Sequence, residues 1–189
     1  ATAHYIGQYL VTFRQTGLSS DATGTVVTVD SASKTFGDLP FSKWVDCGGS
    51  VTYSYSSTVS STVSGKRFRL NSVTGPVSPI SVFGPVTVTG NYVTQYLITF
   101  TQTGLDSTAT GTVVTVNSVA KTYNDLPYSF WADCGSSVTY SYSSVVSSSV
   151  PGKKFELVAV HCPPPPYTVC EPVTITGEYC CKYLVTFAQ

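Results

Sequence analysis

The chain has 189 residues, room for two ordinary domains, and its ten basic and ten acidic side chains cancel to no formal net charge at neutral pH. That balance argues against nucleic acid and anionic lipid as partners, both of which call for a basic surface. Only 11% of residues are charged, well under the roughly 25% of ordinary globular proteins, and Ser and Thr fill the polar face instead, a surface suited to close packing against neighbours.

In chain order, Ala1-Thr2-Ala3 lacks Met and a signal pattern and reads as a mature end left after secretion. Tyr9, Val11 and Phe13 then alternate with Leu10, Thr12 and Arg14. Residues 25–29 form a second run rich in β-branched side chains, and residues 41–45 carry Trp44. Val51, Tyr53 and Tyr55 alternate with Thr52 and Ser54, Phe68 and Leu70 with Arg67 and Arg69, and Val86 and Val88 with Thr87 and Thr89. Period two with one polar face predicts half-buried antiparallel strands. Gly17, Gly24, Gly37-Asp38, Gly48-Gly49, Gly65 and Gly75-Pro76 punctuate them as turns. No stretch has helical periodicity with caps, and no apolar run approaches the roughly 18 residues of a membrane span. This predicts an all-β chain of immunoglobulin-like antiparallel sandwiches, with about seven strands to a repeat.

The pattern then starts again. Gln8-Tyr9-Leu10-Val11-Thr12-Phe13 returns as Gln95-Tyr96-Leu97-Ile98-Thr99-Phe100 and as Lys182-Tyr183-Leu184-Val185-Thr186-Phe187, with Leu10, Leu97 and Leu184 spaced by 87 residues each time. A fixed period marks a stacked array. The boundaries fall at residues 1–93 and 94–180 for two tandem sandwiches, with residues 181–189 a surplus copy of the first strand. The join from Val88 to Tyr96 has no flexible linker, so one extended segment is expected to leave the first sandwich and enter the second. A lone strand must pair its backbone and bury its apolar face, so the surplus copy either belongs to a further domain or completes a fold in another molecule.

Thr89-Gly90-Asn91-Tyr92-Val93-Thr94-Gln95-Tyr96-Leu97, with Ser50-Val51-Thr52-Tyr53-Ser54-Tyr55 and Gly65-Lys66-Arg67-Phe68, resembles the tandem β-sandwich repeats of archaeal secreted and cell-surface proteins. The resemblance covers both repeats and the terminal strand. It implies a spacer, stalk or surface coat. Cysteine is not expected in most such repeats, so the cysteines look like additions for cross-linking.

Six cysteines without metal-type spacing favour disulfides and an oxidising, extracellular setting. Cys47 and Cys134 are equivalent, each in an Asp-Cys-Gly turn. Cys162, Cys170, Cys180 and Cys181 correspond to Gly75, Phe83, Val93 and Thr94, so Cys47 has no matched partner in its own repeat. One wiring closes Cys162 to Cys170 around the proline run, then bonds one of Cys180 and Cys181 to Cys134 of the same chain and the other to Cys47 of the next. Purely intrachain bonds are the alternative. A disulfide typically contributes about 2–4 kcal/mol.

Chemistry-bearing residues are sparse. His4 and His161 have no repeat equivalents and no triad or zinc motif, and there is no phosphate loop or cofactor fingerprint. Neither an enzyme nor a cofactor is expected. Asp38 with Asp125 and Asp46 with Asp133 recur in turns, where Asp usually caps its own backbone. Calcium is the functional variant, weakened because Asp21 and Asp30 become Thr108 and Asn117. Tyr53, Tyr55, Tyr140 and Tyr142 fit either a sugar-stacking ladder or, more simply, a filled sandwich face.

Function is therefore read as assembly. Tyr183, Leu184, Val185, Thr186 and Phe187 add as a strand to the next copy of the chain, near its Tyr9, Val11 and Phe13, making a head-to-tail extracellular homopolymer. The donated strand displaces the resident one, pairs beside it, or fills a place that strand has vacated. The other reading is a stalk or sugar-binding adhesin of which these are two repeats. No nucleic acid and no membrane insertion are expected, and surface glycans are allowed.

Overall fold

A computed structural model describes Thr2, residues 5–161 and residues 163–189. Among these residues the regular elements are strands and two short 3-10 turns, and the chain divides between Gln95 and Tyr96 into two compact units.

The first unit runs β1 (Gln8–Thr16), β2 (Ala22–Thr23), β3 (Val27–Val29), β4 (Ala32–Lys34), β5 (Phe41–Asp46), β6 (Ser50–Val51), β7 (Tyr53–Tyr55), β8 (Thr58–Ser61), β9 (Lys66–Thr74), β10 (Ile80–Ser81) and the opening half of β11 (Val86–Thr103). One sheet is ordered β2-β8-β9-β11-β1-β5, and the smaller sheets are β4-β3-β7 and β6-β10. Val11, Phe13, Phe68 and Val88 of the large sheet share one core with Val27, Val51 and Ile80 of the small ones, a sandwich-like arrangement of apolar faces.

The second unit repeats this with the rest of β11, then β12 (Ala109–Thr110), β13 (Thr112–Val116), β14 (Val119–Thr122), β15 (Tyr128–Asp133), β16 (Ser137–Val138), β17 (Tyr140–Tyr142), β18 (Val145–Ser148), β19 (Lys153–His161), β20 (Tyr167–Thr168) and β21 (Val173–Tyr183). Its large sheet is ordered β12-β18-β19-β21-β11-β15, beside β14-β13-β17 and β16-β20. Ile98, Phe100, Phe155 and Ile175 pack with Val113, Val138 and Tyr167.

The strands differ from the sequence expectation in three ways. First, each large sheet is mixed: β1 runs parallel to β11, from Val11↔Val86 to Thr16↔Asn91, and β11 runs parallel to β21, from Ile98↔Val173 to Thr103↔Glu178. A parallel pair needs a long crossover, which here is the whole intervening unit. Alternation has the same period in both directions, so the sequence does not report it. Second, the runs at 25–29 and 51–55 are shorter or broken, and β8 forms in a Ser/Thr stretch around buried Val59. Third, a 3-10 turn follows β4, which ends at Lys34. Thr35 caps the 3-10 turn Phe36–Asp38, its amide and hydroxyl both donating to Asp38 at 2.7 and 2.8 Å, and Thr122 does the same for Tyr123–Asp125.

Candidate strand-docking slot

The strand that occurs three times in the sequence occupies the same kind of place twice. In the first unit β1 lies between two neighbours. It is antiparallel to β5, from Gln8↔Asp46 to Phe13↔Phe41, and parallel to β11 on its other side. Because side chains alternate, Tyr9, Val11 and Phe13 face inward, and Val11 and Phe13 are 0% exposed. Phe13 lies 6.5 Å from the Phe41 ring and 5.5 Å from Tyr53, while on the outer face the Thr12 and Ser42 hydroxyls meet at 2.9 Å.

Tyr55 clamps the far end of the slot. Its hydroxyl donates to the Arg14 carbonyl of β1 at 2.6 Å, with the Val88 carbonyl of β11 at 3.1 Å. Burial pushes that hydroxyl up to about 12, so it stays protonated and remains a donor. The ring packs against Gly90, where an added Cβ would sit 2.5 Å from it. Beyond the clamp the chain turns at Gly17, whose left-handed φ of 82° and 1.9 Å Cβ approach to the Tyr92 carbonyl admit only glycine.

The second unit builds the slot again around residues 96–103. Ile98 and Phe100 are buried, Phe100 lies 6.4 Å from Phe130 and 5.5 Å from Tyr140, and the Thr99 and Ser129 hydroxyls meet at 2.8 Å. Tyr142 donates to the Thr101 carbonyl at 2.7 Å, with the Ile175 carbonyl at 2.9 Å.

The third copy has no slot in the described chain. β21 ends at Tyr183 and residues 184–189 join no ladder; the Leu184 amide donates to the Gly152 carbonyl at 2.7 Å. Val185 is 69% and Phe187 92% exposed, where their counterparts Val11 and Phe13 are at zero.

One equivalence escaped the sequence reading. Tyr5 precedes Tyr92 by the same 87 residues that separate Tyr92 from Tyr179. Tyr92 and Tyr179 are 5% and 4% exposed, their hydroxyls donating to the Ser56 carbonyl at 2.9 Å and the Ser143 carbonyl at 3.0 Å. Tyr5 is 94% exposed. The period alone was the signal: residues 2–7 repeat the end of a unit's last strand, as residues 184–189 repeat the start of its first.

The other candidates go to structural duties. Asp38 and Asp125 are the turn caps described above, which holds both carboxyls below the usual range. Asp46 accepts from Gln8 at 2.7 Å. Asp30 and Asn117 sit at positive φ in the two-residue β3–β4 and β13–β14 hairpins and accept from the Thr52 and Thr139 amides at 2.8 and 3.0 Å. Tyr53 donates to the Pro76 carbonyl at 2.6 Å, and Tyr140 donates to that of Pro163. His161 pairs with Glu178 at 2.8 Å on the surface, and His4 lies outside the described residues. Among the described residues no three His, Cys, Asp or Glu side chains gather as a metal site. Cys47, Cys134, Cys170, Cys180 and Cys181 are exposed free thiols, and Cys162 lies outside the described residues.

No family model, curated protein or solved structure matches the chain.

Proposed function

We propose that this chain is a structural subunit of an extracellular assembly, built from tandem immunoglobulin-like sandwiches and extended head to tail by strand addition. One observation carries the reading. Residues 184–189 are an exposed near-copy of a strand that is elsewhere seated between two partners. Over eight positions, Lys182 to Gln189 match Gln8 to Gln15 at six. In the register of β1, Tyr183, Val185 and Phe187 would enter the places of Tyr9, Val11 and Phe13, and the Ala188 carbonyl would meet Tyr55.

The backbone supplies attraction and the alternating side chains supply register. Burying Val185 and Phe187 favours docking by about 1.5–3 kcal/mol each. Where a resident β1 must leave, it gives up almost the same amount, so exchange between copies is close to neutral in free energy. A contact of this head-to-tail kind propagates into a filament unless it closes into a ring. The sparsely charged, Ser/Thr-rich composition and the cysteine content support an extracellular, closely packed setting.

The second reading is a stalk in which further repeats of one polypeptide supply the slot. It is favoured by Tyr5 and residues 184–189, which continue the 87-residue period at both ends. Negative-stain microscopy and sedimentation of residues 1–189 and of a variant lacking residues 184–189 separate the two. Strand addition predicts oligomers or fibres from the full chain, monomers from the truncation, and inhibition by an added Lys182–Gln189 peptide. Monomers from both, at high concentration, would leave the stalk.

A further inference from the structure

We infer that the strand-added state is locked by a disulfide between Cys181 of one copy and Cys47 of the next; this rests on the strand-addition reading above. The register selects the pair. The β1–β5 ladder runs Gln8↔Asp46, and one step further the Cys47 amide donates to the Gly7 carbonyl at 2.8 Å, so position 7 lies directly opposite Cys47. The three copies of position 7 along the chain are Gly7, Thr94 and Cys181. Only a Lys182–Gln189 strand seated in the β1 slot therefore puts a thiol opposite Cys47. Directly opposed residues of an antiparallel hydrogen-bonded pair have Cα atoms about 5.5 Å apart, inside the span of about 4.4–6.8 Å that a disulfide bridges. Cys180 falls at position 6, on the other face of the strand. Cys181 shares the inward face with Tyr183, Val185 and Phe187, and Cys47 shares that of Val45 and Phe41, so the two thiols meet on one side. Both are exposed before docking.

The bond answers the difficulty in strand exchange. One copy of the strand replaces another of nearly the same sequence, so contacts alone scarcely favour the assembled state. A covalent bond available only after exchange biases it. The sequence ahead of β1 also differs from its counterparts. The residue equivalent to Gly90 and Gly177 is Ala3, and the Tyr55 and Tyr142 rings leave 2.5 and 2.4 Å for a Cβ at those glycines. The N-terminal segment is thus a poor competitor for the place held by β21, which keeps its Gly177 under Tyr142.

Chemically, a disulfide oxidant such as oxidised glutathione accepts the two electrons. The Cys181 thiolate attacks it and forms a mixed disulfide, releasing one reduced thiol. The Cys47 thiolate then attacks the Cys181 sulfur, forming the protein bond and releasing the second thiol.

The test uses the full chain with oxidised glutathione, non-reducing gels and mass mapping of the cross-link. Wild type, Cys180→Ser and Cys134→Ser are expected to give a ladder of multimers carrying a Cys47–Cys181 link. Cys181→Ser and Cys47→Ser should lose the ladder and form far fewer fibres by microscopy, and those that do form should be indifferent to reductant. Gly7→Cys places a thiol opposite Cys47 within one chain, and the expected result is a locked monomer that no longer assembles. A ladder that survives Cys181→Ser, or a Cys47–Cys181 link confined to single chains, overturns the inference. Fibres without any link, under the same oxidant, overturn the disulfide and leave strand addition intact. Fibres from the locked Gly7→Cys monomer overturn displacement of β1, and the inference with it.

Discussion

At the scale of single residues, the two units keep one ion pair while moving the carboxylate that makes it. In the first, Asp21 is held by Ser19, Ser61 and Lys66, the Lys66 ammonium lying 3.0 Å away, and these hydrogen bonds hold its carboxyl far below the usual range. In the second, position 108 is Thr and the carboxylate has moved to Asp106, where Lys153 and then Thr108 lower it to about 2. A carboxyl depressed by folding stabilises above its unfolded pKa, and that contribution is lost as pH falls through the folded value. Thermal unfolding should therefore shift downward between pH 4 and pH 2, and Asp21→Asn with Asp106→Asn should flatten that dependence. The hairpin turns offer the opposite sign. Ser31 and Ser118 hold φ of 67° and 66° without being glycine. Ser31→Gly should stabilise the chain by about 0.5–1 kcal/mol in urea titrations, since an L side chain at that φ costs about 1–2 kcal/mol and glycine's extra entropy returns part of it.

At the scale of elements, the Tyr55 clamp couples three strands. β7 carries the ring, β1 and β11 carry the accepting carbonyls, and Gly90 makes the space. Tyr55→Phe keeps the ring and removes the hydroxyl, so it should cost about 1–2 kcal/mol in equilibrium unfolding. The same change should loosen β1, speeding exchange of its amides with deuterium beyond that of β9. Gly17→Ala sets a left-handed φ against a carbonyl at 1.9 Å and should cost about 2–4 kcal/mol, read by the same titration. The alternation of Tyr9, Val11 and Phe13 made this strand legible in the sequence. The clamp was not legible, because Tyr55 and its partner Arg14 are 41 residues apart and the hydroxyl meets a backbone atom. The tyrosines fill the sandwich face as expected, Tyr55, Tyr140 and Tyr142 being buried in the cores, and the Tyr55 and Tyr142 hydroxyls in addition hold strands together.

At the scale of the whole molecule, the useful comparison is between three copies of one strand. Two are seated and buried, and the third is exposed from Leu184 to Phe187. If strand addition is the function, replacing Val185 and Phe187 with Asp should abolish assembly while leaving the thermal unfolding of the monomer unchanged. Sedimentation velocity and calorimetry on the same sample check both halves. The seated copies cannot be tested this way, because Val11→Asp or Phe13→Asp would bury an unpaired charge and unfold the unit.

The sequence by itself determined the all-β character, the 87-residue period, the third copy of the first strand's sequence and the equivalence of Cys47 with Cys134, since each is a matter of local alternation or counting along the chain. Tertiary structure alone decided that the first and last strands of a unit lie parallel, that β1 sits between β5 and β11, and that position 7 faces Cys47. Those are relations between residues tens of positions apart. Periodicity fixes which side of a strand is apolar, and only pairing fixes which strand, in which direction and at which register, lies beside it.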